Sequence, residues 1–372
     1  INKIFGIEMV YVAQGSFYAG DGSSSSDYRL KEGTADNDPW YVQNENAITT
    51  TNSAGDGFYY QGAGASGENS SGDVFIVPTS FPKGHQAFYQ MKYELTEGQW
   101  AGFFNTLSPT QKINRDTTSS VNGGKGSDNV VNRNTISWDD ASPKSDASTL
   151  RSNRPMTYIS WPDLMAYADW AGLRPMTELE FEKSSRGADI SPIADEFVWG
   201  KATYNDVQSN EIFPNTDEGG TETISNGSAN LNRNNLAWTS GDGRVGGIAE
   251  SQKGPLRSGI LAGTNTSRVT SGAGYYGAME LSGNLNEMVV TLGNSKGRQF
   301  LGTHGDGALS DMSGYEGNAT NTDWPGVSAT DSAYGVTGTS GSGYRGGDFN
   351  SSNIRFFQIS TRTDASRNPD SE

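Results

Sequence analysis

What most limits the folds open to this chain is a run of three hydroxyl-capped helix starts between residues 96 and 187, set in a sequence otherwise punctuated by glycine. Each is a capping box, in which the N-cap hydroxyl accepts from the amide three residues on and the side chain there bonds back. Thr96 with Gln99 opens TEGQWAGFFNTL, Ser160 with Asp163 opens SWPDLMAYADWAG, and Thr177 with Glu180 opens TELEFEKSSRG. Gly172 and Gly187 stand where the second and third helices stop. Glu178 and Glu182 share a helix face beside Lys183, a spacing that predicts capping and surface pairing rather than acid–base chemistry.

Outside this block the signals are those of short strands and loops. Residues 4–19 alternate apolar and polar positions around Gly15, which predicts a β-hairpin. Residues 21–80 read as a long surface insertion whose aromatics, Trp40 and Tyr60 among them, pack it down. Polar stretches near 110–151 and 201–271 read as further loops, and from Tyr275 onward short strands alternate with glycine turns. With 33% hydrophobic residues and 48 glycines, the expected core is modest and the loops long.

The charge balance, 27 Lys and Arg against 43 Asp and Glu, leaves a net charge of −16 and no basic stripe, which argues against a nucleic-acid partner. There is no cysteine, so disulfides, thiol nucleophiles, zinc thiolates and copper thiolates are excluded together. No apolar run approaches the roughly 20 residues of a membrane helix. A chain that begins at Ile1 fits a mature protein whose signal peptide has been removed, and a trimmed chain would look the same.

Several segments fall in a familiar order: MVYVAQGSF at 9–17, YELTEGQWAGFFN at 93–105, and RPMTYISWPDLMAYADWAGLRPMTELEFEKSSRG at 154–187. FVWG at 197–200, GAMELSGNLNEM at 277–288 and YRGGDF at 344–349 follow. In this order the chain resembles the formylglycine-generating enzyme, or sulfatase-modifying factor, family from about residue 7 to 370. The resemblance implies an α+β, C-type lectin-related fold with little regular secondary structure and long loops. It also implies one domain over 1–372 carrying surface insertions at about 21–80, 110–151 and 201–271.

The family's enzymes place a copper-binding cysteine pair just after Arg-Gly-Gly. Here Ser351 and Phe356 stand roughly at those positions, and neither supplies a thiolate. A second enzymatic branch uses three iron-binding histidines on a helical bundle, whereas this chain has two histidines, His85 and His304, far apart. Neither copper nor iron chemistry is therefore expected, and the chain is read as a non-enzyme. His304 near Asp306 and Asp311 has no nucleophile elbow and reads as turn packing.

The resemblance does imply structural calcium. Glu280, Gly283, Leu285 and Glu287 correspond to a family loop in which two side chains and two carbonyls bind the ion, a ligand set suited to its flexible oxygen shell. Asn230 and Leu231, with Asp242 to complete them, correspond to a second site. The aromatic residues Trp324, Tyr344, Phe349 and Phe356 are the candidates for a ligand surface at the Arg-Gly-Gly end. The expected role is that of a secreted or cell-surface bacterial protein working in an extracellular assembly (filament, sheath or gliding-type complex) or in adhesion. Its partners would be other protein subunits or copies of itself. The alternative is a lectin-like protein that binds glycans or peptides, and a third reading is a family oxidoreductase with unrecognised chemistry. Relatives usually continue past a segment like Asn368-Pro369-Asp370 into a closing strand, so the resemblance also implies a sheet edge that another chain could fill, with a trimmed chain as the plainer alternative.

Overall fold

The computed structural model describes residues 4–369 apart from 26, 33–37, 54, 56, 65–67, 69–70, 209–210, 214–221, 234–243, 246–247 and 250–253. Short strands and short helices are mixed along the chain, an α+β arrangement. In chain order the first strands are β1 (Met9–Val12), β2 (Phe17–Ala19), β3 (Lys31–Glu32), β4 (Trp40–Val42), β5 (Ile48–Thr51), β6 (Phe58–Tyr59), β7 (Ile76–Val77) and β8 (Phe88–Met91).

The hairpin expected over 4–19 does not form between neighbours. β1 pairs antiparallel with β8, Met9 opposite Met91, while β2 pairs with β4, Phe17 opposite Val42. The Gly15 amide donates to the His85 carbonyl (3.0 Å), tying the turn to the β8 side. Val12, Phe17 and Ala19 are fully buried, so each half of the segment satisfies a different part of the interior. Residues 21–80 are likewise more than a surface insertion. They form a four-stranded sheet in the order β3-β6-β5-β7, and bury Leu30, Trp40, Val42, Tyr60 and Val77 in the largest apolar cluster with Trp161, Leu179 and Trp324.

The three capped helices form as their sequences predict: α1 (Glu97–Phe104), then α3 (Trp161–Trp170) and α4 (Glu178–Arg186), each with both arms of its capping box made. Gly172 (φ 68°) and Gly187 (φ 105°) take up the conformations that end α3 and α4. Between the first two lies α2 (Pro109–Asn114), which the loop reading of 110–151 did not anticipate; Ser108 and Gln111 form its capping box. Farther on, β9 (Ile212–Phe213) pairs with β10 (Thr223–Ile224), β11 (Arg244–Val245) with β12 (Ile248–Ala249), and a one-turn α5 (Arg268–Ser271) follows. The C-terminal third contributes β13 (Glu287–Val290), antiparallel to β14 (Ser342–Arg345).

Glu178 and Glu182 are not surface groups. Both are fully buried, and only Glu180 takes the capping role, with Arg174 as its ion-pair partner. Glu178 accepts from Arg362 Nε (2.7 Å) and Arg345 Nη1 (3.2 Å), and Glu182 from Arg345 Nη2 (2.8 Å). The i, i+4 spacing is the same for a solvated pair and a buried one; what differs is the arginines brought from β14 and the chain beyond it.

Three lysines are also drawn inward. Lys83 Nζ donates to the Pro78 carbonyl (2.6 Å), Lys125 Nζ to Asn129 (3.0 Å) and Lys183 Nζ to His85 (3.0 Å). Burial lowers each from 10.5 to about 8. A base whose folded pKa is depressed leaves the unfolded chain binding more protons between the two values, so stability rises as pH climbs from 8 towards 10.5. The urea midpoint is therefore expected to be higher at about pH 9.5 than at about pH 8.5. A lower midpoint at the higher pH would contradict the assignment.

Candidate functional site

Arg345, at the end of β14, anchors the Arg-Gly-Gly turn from below through Glu178 and Glu182, with its guanidinium 5.0 Å above the Phe181 ring. The turn needs glycine: Gly346 has φ 85°, and a methyl there would overlap the Glu287 carboxylate and the Leu281 carbonyl. Beyond it, Asp348 Oδ1 accepts from Ser351 Oγ (2.6 Å) and Asn350 N (3.1 Å). Phe356 is half-buried against the cluster of Phe181, Phe197 and Phe357. The two positions that the resemblance aligns with the cysteines thus hold a hydroxyl bound within its own turn and a packed ring.

Of the four candidate ligand-binding aromatics, Trp324 is placed in the core. It is 2% exposed and donates Nε1 to the Thr303 carbonyl (2.9 Å), so it cannot face a ligand. Burial of a large ring outweighed the polar, glycine-rich composition around it. Tyr344, Phe349 and Phe356 are each half-buried at the Arg-Gly-Gly end. His304 is exposed, Asp306 caps the turn at Ala308 (2.9 Å) and Asp311 accepts from Gln111 (3.2 Å), an arrangement of turn contacts.

The 280–287 loop packs beside this turn. Gly283 N donates to the Gly346 carbonyl (3.0 Å), and Phe349 N to the Asn284 carbonyl (2.8 Å). Glu280 (φ 59°) and Asn284 (φ 69°) both occupy the left-handed region, which a non-glycine residue adopts only when its surroundings compel it. Asn284 is compelled by four hydrogen bonds, to Asn232, Leu256 N, Leu256 O and Glu94, and Glu94 also accepts from Leu285 N (2.8 Å). Glu280 is buried: Oε1 accepts from Gly259 N (2.7 Å), while Oε2 has no hydrogen-bond partner among the described residues. Burial pushes this carboxyl up to about 8, with Gly259 N and Arg257 pulling the other way. The Gly283 and Leu285 carbonyls accept no hydrogen bond from the described residues. A buried oxygen and two uncommitted carbonyls in one strained loop fit a hard cation.

The second site is less suited. Asn230 Oδ1 accepts from Asn205 N (2.8 Å), its Nδ2 donates to the Val269 carbonyl (3.0 Å), and the Leu231 carbonyl accepts from Val207 N (2.9 Å). These groups fasten neighbouring loops together. Asp242 lies outside the described residues. Among the described residues no three histidine or carboxylate side chains gather as a metal centre.

One feature has no counterpart in the sequence reading. Between β8, β13 and α3 lies a cavity of about 560 Å³, lined by seven of the chain's eight methionines, all but Met312. Tyr167 reaches it from α3, its phenol pushed up to about 12 by burial alone. These methionines run from Met9 to Met288, so no local pattern could have grouped them.

A family model for the sulfatase-modifying factor enzyme 1-like domain matches residues 6–364. The chain belongs to this family. Formylglycine-generating enzymes are similar to this chain over short stretches. The mouse enzyme is 46% identical over 56 residues, 15% of this chain and 14% of its own. The Thermomonospora curvata enzyme is 51% identical over 39 residues, 10% and 13%, and the Bos taurus enzyme 28% over 130 residues, 31% and 33%. The chain thus aligns with at most about a third of these relatives' length. This member of the family has no cysteine with which to form a thiolate.

Proposed function

We propose that this chain is a non-catalytic, extracellular member of its family, a calcium-stabilised module on a C-type lectin-related fold that works in a bacterial surface assembly or in adhesion. The observation that carries the reading is the replacement of the thiol pair. Ser351 is bonded to Asp348, Phe356 is packed, and the chain has no sulfur nucleophile to offer elsewhere. An acidic chain with no cysteine and no basic stripe suits exposure to a calcium-rich exterior.

Glu280 and Glu287, with the Gly283 and Leu285 carbonyls, would hold the calcium ion. Bound there, the ion would neutralise a buried carboxylate and lock the loop against the Arg-Gly-Gly turn. Calcium at a hundredfold excess over its Kd is expected to raise unfolding free energy by about 2.7 kcal/mol, and Glu280→Gln to remove most of that gain. A thermal midpoint indifferent to calcium and chelator would overturn the calcium assignment.

The assembly reading is tested separately, by size-exclusion chromatography with light scattering in millimolar calcium and in chelator. A polymer that dissociates in chelator is expected, and a monomer in both would overturn it. The half-buried rings of Tyr344, Phe349 and Phe356 favour, as a second reading, glycan or peptide binding at the same end.

A further inference from the structure

The methionine-lined cavity is bounded on two sides by strand edges. The β1–β8 and β13–β14 sheets have two strands each, so β8 has one edge that its own sheet leaves unpaired, and β13 has one that Thr177 bridges at Val290. Which residues face out along those edges follows from the ladder. Lys92 N donates to the Glu8 carbonyl (2.9 Å), which makes 8–92 a hydrogen-bonded pair. Antiparallel pairs alternate, so Met91 and Tyr89 turn their amides and carbonyls away from β1. In the same way Thr291 N bonds to the Gly341 carbonyl (3.0 Å), which leaves Met288 and Val290 facing away from β14. Val290 N is taken by the Met176 carbonyl (2.8 Å), and no described residue bonds the outward main chain of Tyr89, Met91 or Met288.

The cavity follows these edges. Its walls include the unbroken runs 87–91 and 285–288, and its floor is Leu164, Met165, Tyr167 and Ala168 of α3. Around it Met279 N bonds to the Lys92 carbonyl (2.8 Å), Glu94 accepts from Leu285 N, and Arg174 and Glu180 pair in bidentate fashion. Gln90 Oε1 is buried on this wall with no hydrogen-bond partner among the described residues.

We propose that this cavity is a strand-receiving slot, which binds an extended segment of a partner polypeptide, apolar at alternate positions, by main-chain hydrogen bonds to Tyr89, Met91 and Met288. Unpaired main-chain groups on two walls call for a peptide rather than an acyl chain or an aromatic solute, which would leave them unsatisfied. Alternation turns every second side chain of the guest towards the methionine-rich lining, where flexible thioethers adapt to different shapes. The site is thereby distinct from the half-buried aromatics of the Arg-Gly-Gly end, while its 285–288 wall shares Leu285 and Glu287 with the proposed calcium loop.

The test uses the full chain with its methionine methyl groups labelled with carbon-13, and the capped peptide Ac-Val-Thr-Val-Lys-Val-NH2 as probe. Titration is expected to shift the methyl signals of the cavity residues and leave Met312 unmoved. It should also slow amide exchange at Tyr89, Met91 and Met288. Tyr89→Pro removes an outward N–H from an edge position, where proline is tolerated, and should weaken binding about tenfold. A peptide N-methylated at alternate amides should bind as weakly to the unaltered chain, a control that needs no folded variant. No methyl shift at millimolar peptide would overturn the proposal. Equal binding of the methylated peptide, or shifts produced only by decanoate, would show a cavity for apolar groups in place of a strand slot and also overturn it. Concentration-dependent shifts in the protein alone, lost in Tyr89→Pro, would assign the slot to a second copy instead.

Discussion

Arg362→Met is expected to destabilise the protein by about 3–5 kcal/mol, the cost of leaving a buried charge without its partner. Arg362 is fully buried, and bonds to Glu178 through Nε (2.7 Å) and Nη2 (3.2 Å) and to the Tyr60 hydroxyl through Nη2 (2.7 Å). Burial alone would raise the Glu178 carboxyl, but Arg362 and Arg345 outweigh it and hold it below the usual carboxylate range. In the variant Glu178 would keep Arg345 as its cationic partner, with Thr291 Oγ1 and Leu292 N still donating to it. Glu178→Gln on its own should cost a similar amount, whereas the double variant should lose clearly less than the sum of the two. Urea unfolding of all four proteins measures the coupling. Additive losses would mean that the pair does not act as a unit. The network spans sequence from residue 60 to residue 362, so its loss should reduce the cooperativity with which the N-terminal sheet and the C-terminal third unfold.

Trp40→Ala is expected to cost about 3–5 kcal/mol as well, through the cavity it leaves. The ring is fully buried, edge-on to Phe58 at 5.2 Å, and its Nε1 donates to the carbonyls of Lys31 (2.8 Å) and Tyr59 (3.1 Å). The result bears on function. If residues 21–80 served only as a subunit contact, the variant would alter assembly while the monomer unfolded as before. A loss measured on the monomer places this region in the core, and confines any subunit contact to its exposed residues, such as Val74 and Ile76.

The capped helices were legible because a capping box is a local device: Thr96, Ser160 and Thr177 each find their partner three residues away. The partners of β1 and β2 were not, because strand pairing is decided by distant segments that bury the same face. Glu178 and Glu182 illustrate the same limit, since their arginines enter from residues 345 and 362. The family motifs brought the 280–287 loop to notice, and the positive φ of Glu280 and the unpartnered Oε2 give that motif a physical basis. They gave no hint that Asn230 and Leu231 are occupied with fastening neighbouring loops, nor that Trp324 is interior. Ser108 with Gln111 repeated a recognised signal on a segment too short and too polar to stand out.

Gathering seven thioethers into one cavity also gives the protein a single point of oxidative vulnerability. Each sulfoxide turns a pliant apolar side chain into a polar, chiral one, so peroxide that reaches the cavity would wet its lining in successive steps. Met312, half-exposed and apart from the others, would be oxidised with little consequence. Damage to this chain would therefore accumulate where the two sheets approach each other, and a sulfoxide reductase would be needed to restore it.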